Sequence, residues 1–237
     1  MEKLKLLKSV QIKNSRHYGK FRLSRLKNGQ GKLISLVLRQ ALLTGLVCAC
    51  FTSAKIKNEN RFCIVGVEES IPEIFMNLQG INLKGQFDDL QIPYTTHAII
   101  DLEGPLKVTA RDIKFPIDLG LSVVDETRHI ANITQPIPFV VKLRIEINSG
   151  NSKPETGVPN EEGEEGEEGE QEHSFDAIFT PIRHFETSIQ SYEYEGKTVE
   201  HLFLEIWTDS TITPYEALVQ ASRKMICLLR YFLQSEL

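Results

Sequence analysis

The chain has 237 residues and 41% hydrophobic content, which is enough to bury a core in one large domain or two small ones. Its formal net charge of -5 selects no class of partner by itself. The four cysteines exclude a zinc knuckle, because Cys48 and Cys50 lack the two-residue spacer and no pair of histidines stands at ligand spacing. We interpret all four as reduced, structural cysteines in a reducing compartment.

The charges are distributed unevenly along the chain. Basic residues crowd residues 1–32, where Glu2 is the only acid. Such asymmetry can mark a tail that meets nucleic acid or a membrane surface. The sequence favours the simpler interpretation, which is a solvated and poorly ordered basic extension over residues 1–17.

An apolar run over residues 33–51 approaches the length of about 20 residues that spans a bilayer. Arg39 and Gln40 fall near its middle, and a central arginine costs roughly 2.5–3.5 kcal/mol on insertion scales. A helix that is apolar nearly all round can instead be covered on several sides in a soluble assembly. We therefore predict a buried helix over residues 33–47 and keep a signal-anchored membrane protein as an alternative. The polar residues after the short basic start do not fit a secretory signal.

Local patterns predict strands along most of the chain and two helices besides the one above. Ser70, Pro72 and Glu73 form the start of a capped helix that Gly80 ends, and Thr213 with Glu216 forms a second capping box. Turn signals lie at Asn28-Gly29 and at 103–105. The predicted strands are 18–26, 51–57, 62–67, 98–102, 106–110, 139–147, 175–178 and 201–207.

The composition changes abruptly over residues 148–173. Residues 161–170 are a repeat of glutamates and glycines, which cannot bury apolar area to offset the entropy of ordering. We predict an acidic, disordered surface loop there, and the alternative is a segment that binds cations or a basic partner.

The helix after Thr213 carries apolar residues at alternating spacings of three and four. That pattern is typical of a helix that packs on another helix. The pattern leaves open whether the partner helix belongs to the same chain or to a second copy. The residues of this stripe are Leu218, Ala221, Met225, Leu228 and Phe232.

No catalytic constellation is evident from the sequence. The six histidines are scattered, and none has a nucleophile or carboxylate partner at useful spacing. We expect no catalytic residue, no metal ligand and no cofactor on this chain.

Several short motifs, in order along the chain, resemble the alpha subunits of bacterial-type DNA-directed RNA polymerase, and their wording is most similar to the plastid branch. Each motif is weak alone, and their shared order carries the resemblance. They are LRQALL (38–43), TSAK (52–55), VGVEES (65–70), EIFMNL (73–78), EGP (103–105), VTARDI (108–113), HIA (129–131), FDAIFTPIR (175–183), LEIWTD (204–209) and TPYEAL (213–218).

The resemblance implies an α+β fold with two subdomains. A discontinuous helix and sheet subdomain (18–53 with 184–237) would form a homodimer, and a β-rich subdomain (54–183) would be inserted in it. The implied dimer contacts are Leu36 and the apolar stripe of the last helix. The dimer would recruit the beta and then the beta-prime subunit, which carries the catalytic metal site. The implied location is the plastid, with DNA met only through the complex.

The chain departs from the family pattern at the expected beta contact, which is implied at Arg39, Gln40 and Leu43. The family has a pair of arginines where this chain has Arg39 and Gln40. Arginine offers a permanent charge and five donors, whereas glutamine is neutral with two. The acidic insert also replaces a basic loop of the family. These departures motivate a second alternative, a decayed alpha-like protein that dimerises without binding beta.

Overall fold

The computed structural model describes residues 3–12, 16–57, 63–87, 90–150 and 172–234. The fold is α+β, as predicted, and is mostly sheet with three α-helices. The chain forms two compact units, residues 1–47 with 180–237 and residues 48–179. The sequence placed the corresponding boundaries after residues 53 and 183.

The first unit is a four-stranded antiparallel sheet with two helices on one face. The strand order is β1-β2-β12-β11, so the two ends of the chain pair through β2 and β12. Apolar residues on one face of the sheet pack with the helices into a single core that includes Phe21, Leu42, Leu204 and Ala221. The elements are β1 (Lys3–Ile12), β2 (Arg16–Lys27), α1 (Gln30–Thr44), β11 (Ile182–Tyr194), β12 (Lys197–Thr208) and α3 (Pro214–Gln234).

The second unit is built around a mixed set of short and long strands. A sheet of order β5-β9-β3-β4-β7 carries β10 on β3, and β6 pairs with β8 in a separate two-stranded sheet. Helix α2 (Ile71–Gln79) buries Ile71, Ile74 and Leu78. The strands are β3 (Val47–Ile56), β4 (Leu83–Lys84), β5 (Tyr94–Glu103), β6 (Leu106–Thr109), β7 (Ser122–Val123), β8 (His129–Ile133), β9 (Pro138–Ser149) and β10 (Glu172–Ser174).

The start of the chain differs from the poorly ordered extension that its charge favoured. Residues 3–12 form β1, which pairs with β2 in register from Lys3 opposite Ser24 to Ile12 opposite Arg16. Leu4 and Leu6 lie opposite Leu23 and Phe21, so the first part of β1 continues the apolar face of the sheet, up to a shift in register between Leu6 and Lys8. Lys5 lies between the two leucines and takes the other face, and a count of charge alone misses this alternation.

The apolar run over residues 33–51 is not one helix. Helix α1 ends at Thr44, before Gly45, which is a poor helix former, and the chain enters β3 at Val47, where Val47 and Phe51 favour a strand. In the described residues, no helix combines the length and hydropathy needed to cross a bilayer. The membrane-anchored alternative assumed one apolar segment over residues 33–51, and the chain there forms a helix followed by a strand.

Other predictions on the elements gave mixed results. Residues 63–67 form only isolated bridges, and residues 175–178 follow the short strand β10 instead of forming a strand. All four cysteines are free, but Cys63 and Cys227 are exposed and are therefore not core filling. The acidic segment at 161–170 lies outside the described residues.

Candidate functional site

Helix α1 begins without a capping side chain of its own. Gly29 precedes it with a left-handed φ of 85° and has no side chain that could cap the helix. Glu200 of β12 replaces the missing cap. Its Oε1 accepts from the Gly29 N–H at 2.8 Å and its Oε2 from the Gly31 N–H at 2.9 Å. A buried carboxylate thus satisfies two free amides at the positive end of the helix dipole.

The close approach of Glu200 explains why Gly31 has no side chain. A Cβ on Gly31 would lie 2.8 Å from Oε2 of Glu200 and 3.3 Å from Cδ1 of Ile189. The sheet therefore fixes the position of the first turn of α1, and with it the direction in which the rest of the helix points.

Helix α1 has one face in the core and one in solvent. Ala41 and Leu42 are buried, while Leu33 and Leu36 are 63% and 58% exposed. Leu33, Leu36 and Gln40 share one face at spacings of three and four, so Gln40 lies in line with the two exposed leucines. Leu36, a predicted dimer contact, is therefore free of the chain's own core.

The three residues implied in beta contact occupy different environments. The Arg39 guanidinium donates from Nη2 to the Phe185 carbonyl at 3.3 Å and lies 5.5 Å from the centre of the Phe185 ring. Gln40 is exposed, with Nε2 placed 3.5 Å from Oγ1 of Thr44. Leu43 is half-buried against the core of the first unit. Of these three, Gln40 is the exposed one whose contacts, within the described part of the chain, stay on its own helix turn.

Helix α3 is positioned by local polar contacts at its start. The Thr213 N–H and hydroxyl donate to Glu216 Oε2 at 3.0 and 2.8 Å, and the Glu216 N–H donates to Thr213 Oγ1 at 3.2 Å. Just before it, Asp209 is buried and accepts from the Thr211 N–H at 3.0 Å. Burial raises the pKa of Asp209, although the Thr211 hydrogen bonds and the charge of Arg183 oppose this effect.

The predicted stripe on α3 divides into two parts. Leu218 and Ala221 are buried in the chain's own core, and Met225 packs at its margin. Leu228 is 51% exposed. The side chain of Phe232 lies outside the described residues. The first half of the stripe therefore serves the fold of this chain, and the surface open to another molecule begins beyond Met225.

The structure adds apolar residues that the sequence reasoning did not select. Ile226 is 67% exposed and Leu229 is 56% exposed, three residues apart on α3. On α1, Leu33 extends the exposed face that carries Leu36. Their signal was present as apolar residues off the predicted stripe, but spacing alone does not show which side of a helix is covered. We call Leu33, Leu36, Ile226, Leu228 and Leu229 the helix surface.

The described residues of the two units hold no grouping that is typical of a metal centre. In the ranges that the structure describes, no three histidine, cysteine, aspartate or glutamate side chains are placed to hold a metal ion. The feature of the first unit that calls for explanation is the helix surface, because its side chains are apolar and exposed.

Comparison with known proteins connects this arrangement to a family. No protein-family model matches the chain. It is 46% identical over 228 residues to DNA-directed RNA polymerase subunit alpha-like 2 of Pelargonium hortorum, covering 95% of this chain and 67% of the relative. It is 40% identical over 222 residues to DNA-directed RNA polymerase subunit alpha of Platanus occidentalis, covering 93% and 61%.

A third relative extends the similarity to nearly the whole chain. DNA-directed RNA polymerase subunit alpha of Arabidopsis thaliana is 38% identical over 234 residues, which is 98% of this chain and 66% of the relative. The chain thus spans about two thirds or less of the length of these relatives. Since the matches run through both units at 38% to 46% identity, the chain belongs to the family of DNA-directed RNA polymerase alpha subunits.

Proposed function

We propose that this chain is the assembly region of an alpha subunit of the plastid RNA polymerase, that it forms a homodimer through the helix surface, and that the dimer scaffolds the beta and beta-prime subunits. The observation that carries the proposal is the exposure of large apolar side chains on both helices of the first unit, whose opposite faces are packed in a closed core.

A second copy of the same chain is the occupant that fits this surface best. Exposed apolar residues clustered on one element mark interaction sites more often than single scattered ones. Leu33 with Leu36 on α1, and Ile226 with Leu229 on α3, each present two apolar side chains at helical spacing. In a symmetric dimer the same surface meets itself, so apolar side chains from each copy would cover those of the other.

Removing the apolar character of α3 tests the dimer. We expect the full chain to sediment as a dimer and the double variant Ile226→Glu, Leu229→Glu to sediment as a monomer with an unchanged circular dichroism spectrum. The matched control is Met76→Glu, Ile178→Glu, which places the same charges on two exposed apolar residues of the second unit. A monomeric wild-type chain, or a control that dissociates equally, would contradict the proposal.

The contact with beta is proposed at the end of α1, around Arg39, Gln40 and Leu43. Arg39 is held by Phe185 within the chain, so it must leave that contact or present only its outer edge to a partner. Gln40 lies on the exposed face beside Leu36. Neutral Gln40 makes a weaker contact with a carboxylate than arginine does, because it lacks charge and the bidentate fork.

The alternative function is an alpha-like protein that dimerises without binding beta, and Gln40 together with the acidic segment favours it. Co-purification of tagged chain with the beta subunit separates the two. We expect wild-type chain to retain beta, and the change Gln40→Arg with deletion of residues 161–170 to increase the yield. Wild-type chain that recovers a second alpha but no beta would establish the alternative.

We also propose a plastid location and a supporting role for this chain, and its family membership supports both. The relatives described above are plant alpha subunits or alpha-like proteins. We propose that nucleotide transfer is performed by the large subunits and that this chain supplies no catalytic residue. A pull-down from plastid extract checks the location and the assembly role, because alpha, beta and beta-prime should then be recovered at near-stoichiometric yield.

A further inference from the structure

The sheet of the first unit has a second face, opposite the helices, that the proposed dimer leaves free. Along β12 the buried Leu202, Leu204 and Ile206 alternate with half-buried side chains that point the other way. We call the side of the sheet formed by that second set and its neighbours in register the outer face. Its charged and aromatic side chains include Lys5, Lys8, Tyr18, Lys20, Arg22, His184, Glu186, Tyr192, His201, Phe203, Glu205 and Trp207.

Aromatic rings run across this face from strand to strand. The Trp207 ring lies 4.9 Å from that of Tyr18 on one side and 4.9 Å from that of His184 on the other. Further along β12, the His201 ring lies 4.3 Å from that of Tyr192 and 6.4 Å from that of Phe203. All but His184 are half-buried and His184 is exposed, so each ring presents part of its surface to solvent.

Positive charge lies on the β1 and β2 side of the rings. Lys5 lies opposite Arg22, and Lys8 lies opposite Lys20, so β1 and β2 form a basic double row on the outer face. Lys20 is paired with Glu205 at 2.7 Å. Among the described residues, no carboxylate lies within ion-pairing distance of Lys5, Lys8 or Arg22.

The outer face also carries the carboxylates Glu205 and Glu186, which offset its positive charge less than their number implies. Glu205 accepts hydrogen bonds from Lys20 at 2.7 Å and from the Tyr18 hydroxyl at 2.7 Å, and these bonds lower its pKa. Its charge is therefore balanced by Lys20 beside it. Glu186 lies on β11 at the far side of the face, opposite Glu205 and away from β1.

We propose that the outer face binds single-stranded nucleic acid. The basic rows of β1 and β2 would hold the phosphates, and the rings of β12 and its neighbours would stack with unpaired bases. A four-stranded antiparallel sheet with aromatic side chains on its open face and helices on the other is a platform on which single strands are recognised. Charge complementarity selects a polyanion, and the interleaved rings select one whose bases are accessible.

This proposal does not depend on the dimer, because it uses the opposite face of the sheet. It also gives a role to Lys5, Lys8 and Arg22, which dimerisation and beta binding leave unexplained. The ligand is single-stranded RNA or DNA, and the two are distinguished by titrating both with the same sequence.

Fluorescence of the full chain tests the proposal, since Trp207 is its single tryptophan. A mixed-sequence single-stranded oligoribonucleotide with a fluorescent label reports binding by anisotropy, and tryptophan quenching reports a base near Trp207. We expect saturable binding that weakens with salt, with quenching at the same midpoint. Duplex RNA of the same length should bind more weakly, because its bases cannot reach the rings.

Two variants separate phosphate contacts from stacking. Lys8→Ala with Arg22→Ala should weaken binding about tenfold or more and reduce the slope of log affinity against log salt by about 1.4, which is about 0.7 for each lost phosphate contact. The control Lys107→Ala with Lys114→Ala removes two exposed lysines of the second unit and should change neither quantity. Phe203→Leu should weaken the binding of the oligonucleotide. It should leave the binding of heparin, a polyanion without bases, unchanged.

Several results would overturn the proposal that the outer face binds single-stranded nucleic acid. Absence of binding at low salt would overturn the proposal. So would an equal loss in the Lys107 and Lys114 control, tighter binding of the duplex, or heparin binding that matches RNA while Trp207 fluorescence stays unchanged. If DNA and RNA bind equally, the site reads bases and phosphates without the 2′-hydroxyl, and a preference for RNA would show that the hydroxyl is contacted.

Discussion

The two units of the chain complete their helices in different ways. Helix α2 of the second unit carries its own cap, because Ser70 donates from N–H and hydroxyl to Glu73 Oε2, both at 2.8 Å. Helix α1 of the first unit depends on Glu200, a residue 169 positions away from Gly31. The cap of α2 is therefore formed by four consecutive residues. The cap of α1 forms only when the two ends of the chain have come together.

The units also differ in how their exposed apolar residues are distributed. In the second unit, Val65, Met76, Ile117 and Ile178 are exposed at separate places along the chain. In the first unit some lie on β1 and β11, but the most exposed ones recur at helical spacing on α1 and α3. Single exposed apolar residues are ordinary, whereas a repeated row indicates a surface that another molecule covers. The exposed apolar residues of the second unit are thus ordinary for a folded domain, whereas those of the first unit indicate an interface with another molecule.

The largest expected effect comes from truncating one buried leucine in each helix. Leu42 of α1 and Leu78 of α2 are both fully buried. Leu42→Ala and Leu78→Ala should each lower the free energy of unfolding by about 2–5 kcal/mol, because lost transfer energy and a residual cavity add. Urea unfolding measures this loss.

The same two variants sharpen the comparison through the oligomeric state. Leu42→Ala should also weaken the dimer in sedimentation experiments, since α1 carries part of the helix surface, whereas Leu78→Ala should leave dimerisation unchanged. If Leu78→Ala dissociates the dimer as readily as Leu42→Ala does, the interface is not confined to the first unit.

A smaller effect is expected from the two caps. Glu200→Gln keeps one oxygen acceptor but removes the charge and places an amide against Gly29 or Gly31, and we expect a loss of about 1–3 kcal/mol in the free energy of unfolding. Glu73→Gln changes an exposed cap and should cost less. Equilibrium unfolding with both variants checks the order, and equal losses would show that the distant cap has no special weight.

Gly31→Ala probes the same contact from the other side. A Cβ there requires Glu200 to move, since the space is filled by Oε2 at 2.8 Å. In a double-mutant cycle, Gly31→Ala and Glu200→Gln should therefore be non-additive.

The two capping boxes explain which parts of the fold could be predicted from sequence. Ser70 with Glu73, and Thr213 with Glu216, lie within four residues of each other, so the starts of α2 and α3 follow from local patterns. The start of α1 at Gln30, three residues before the predicted start, does not, because its cap lies on β12. Strand β9 was evident from alternation, while β1 was obscured by its charge.

The candidate site was predictable only in part. The stripe on α3 predicted that this helix packs on another helix. It could not distinguish Leu218, which is buried in this chain, from Leu228, which is exposed. That division depends on where β12 and α1 lie. The outer face was harder still, since Tyr18, His184 and Trp207 meet only through the register of three strands.

The smallest effect concerns pH and belongs to the second unit, where one carboxylate joins distant segments as Glu200 does in the first. Glu69 accepts from the Asn132 N–H at 2.6 Å and contacts His129 Nε2 at 2.6 Å. Burial alone would raise the pKa of Glu69, but the bonds to Asn132 and His129 outweigh it and lower the pKa below its ordinary 4.5.

A pKa that is lower in the folded chain means that the folded state prefers the charged form. The contribution of Glu69 is therefore complete above pH 4.5 and is lost as the pH falls through the folded pKa. We expect the stability of the wild-type chain to decline in that range by about 1 kcal/mol more than that of Glu69→Gln, which has no proton to gain. Thermal unfolding of both proteins between neutral and acidic pH measures the difference, and parallel curves would show that Glu69 does not hold the segment before α2 against β8.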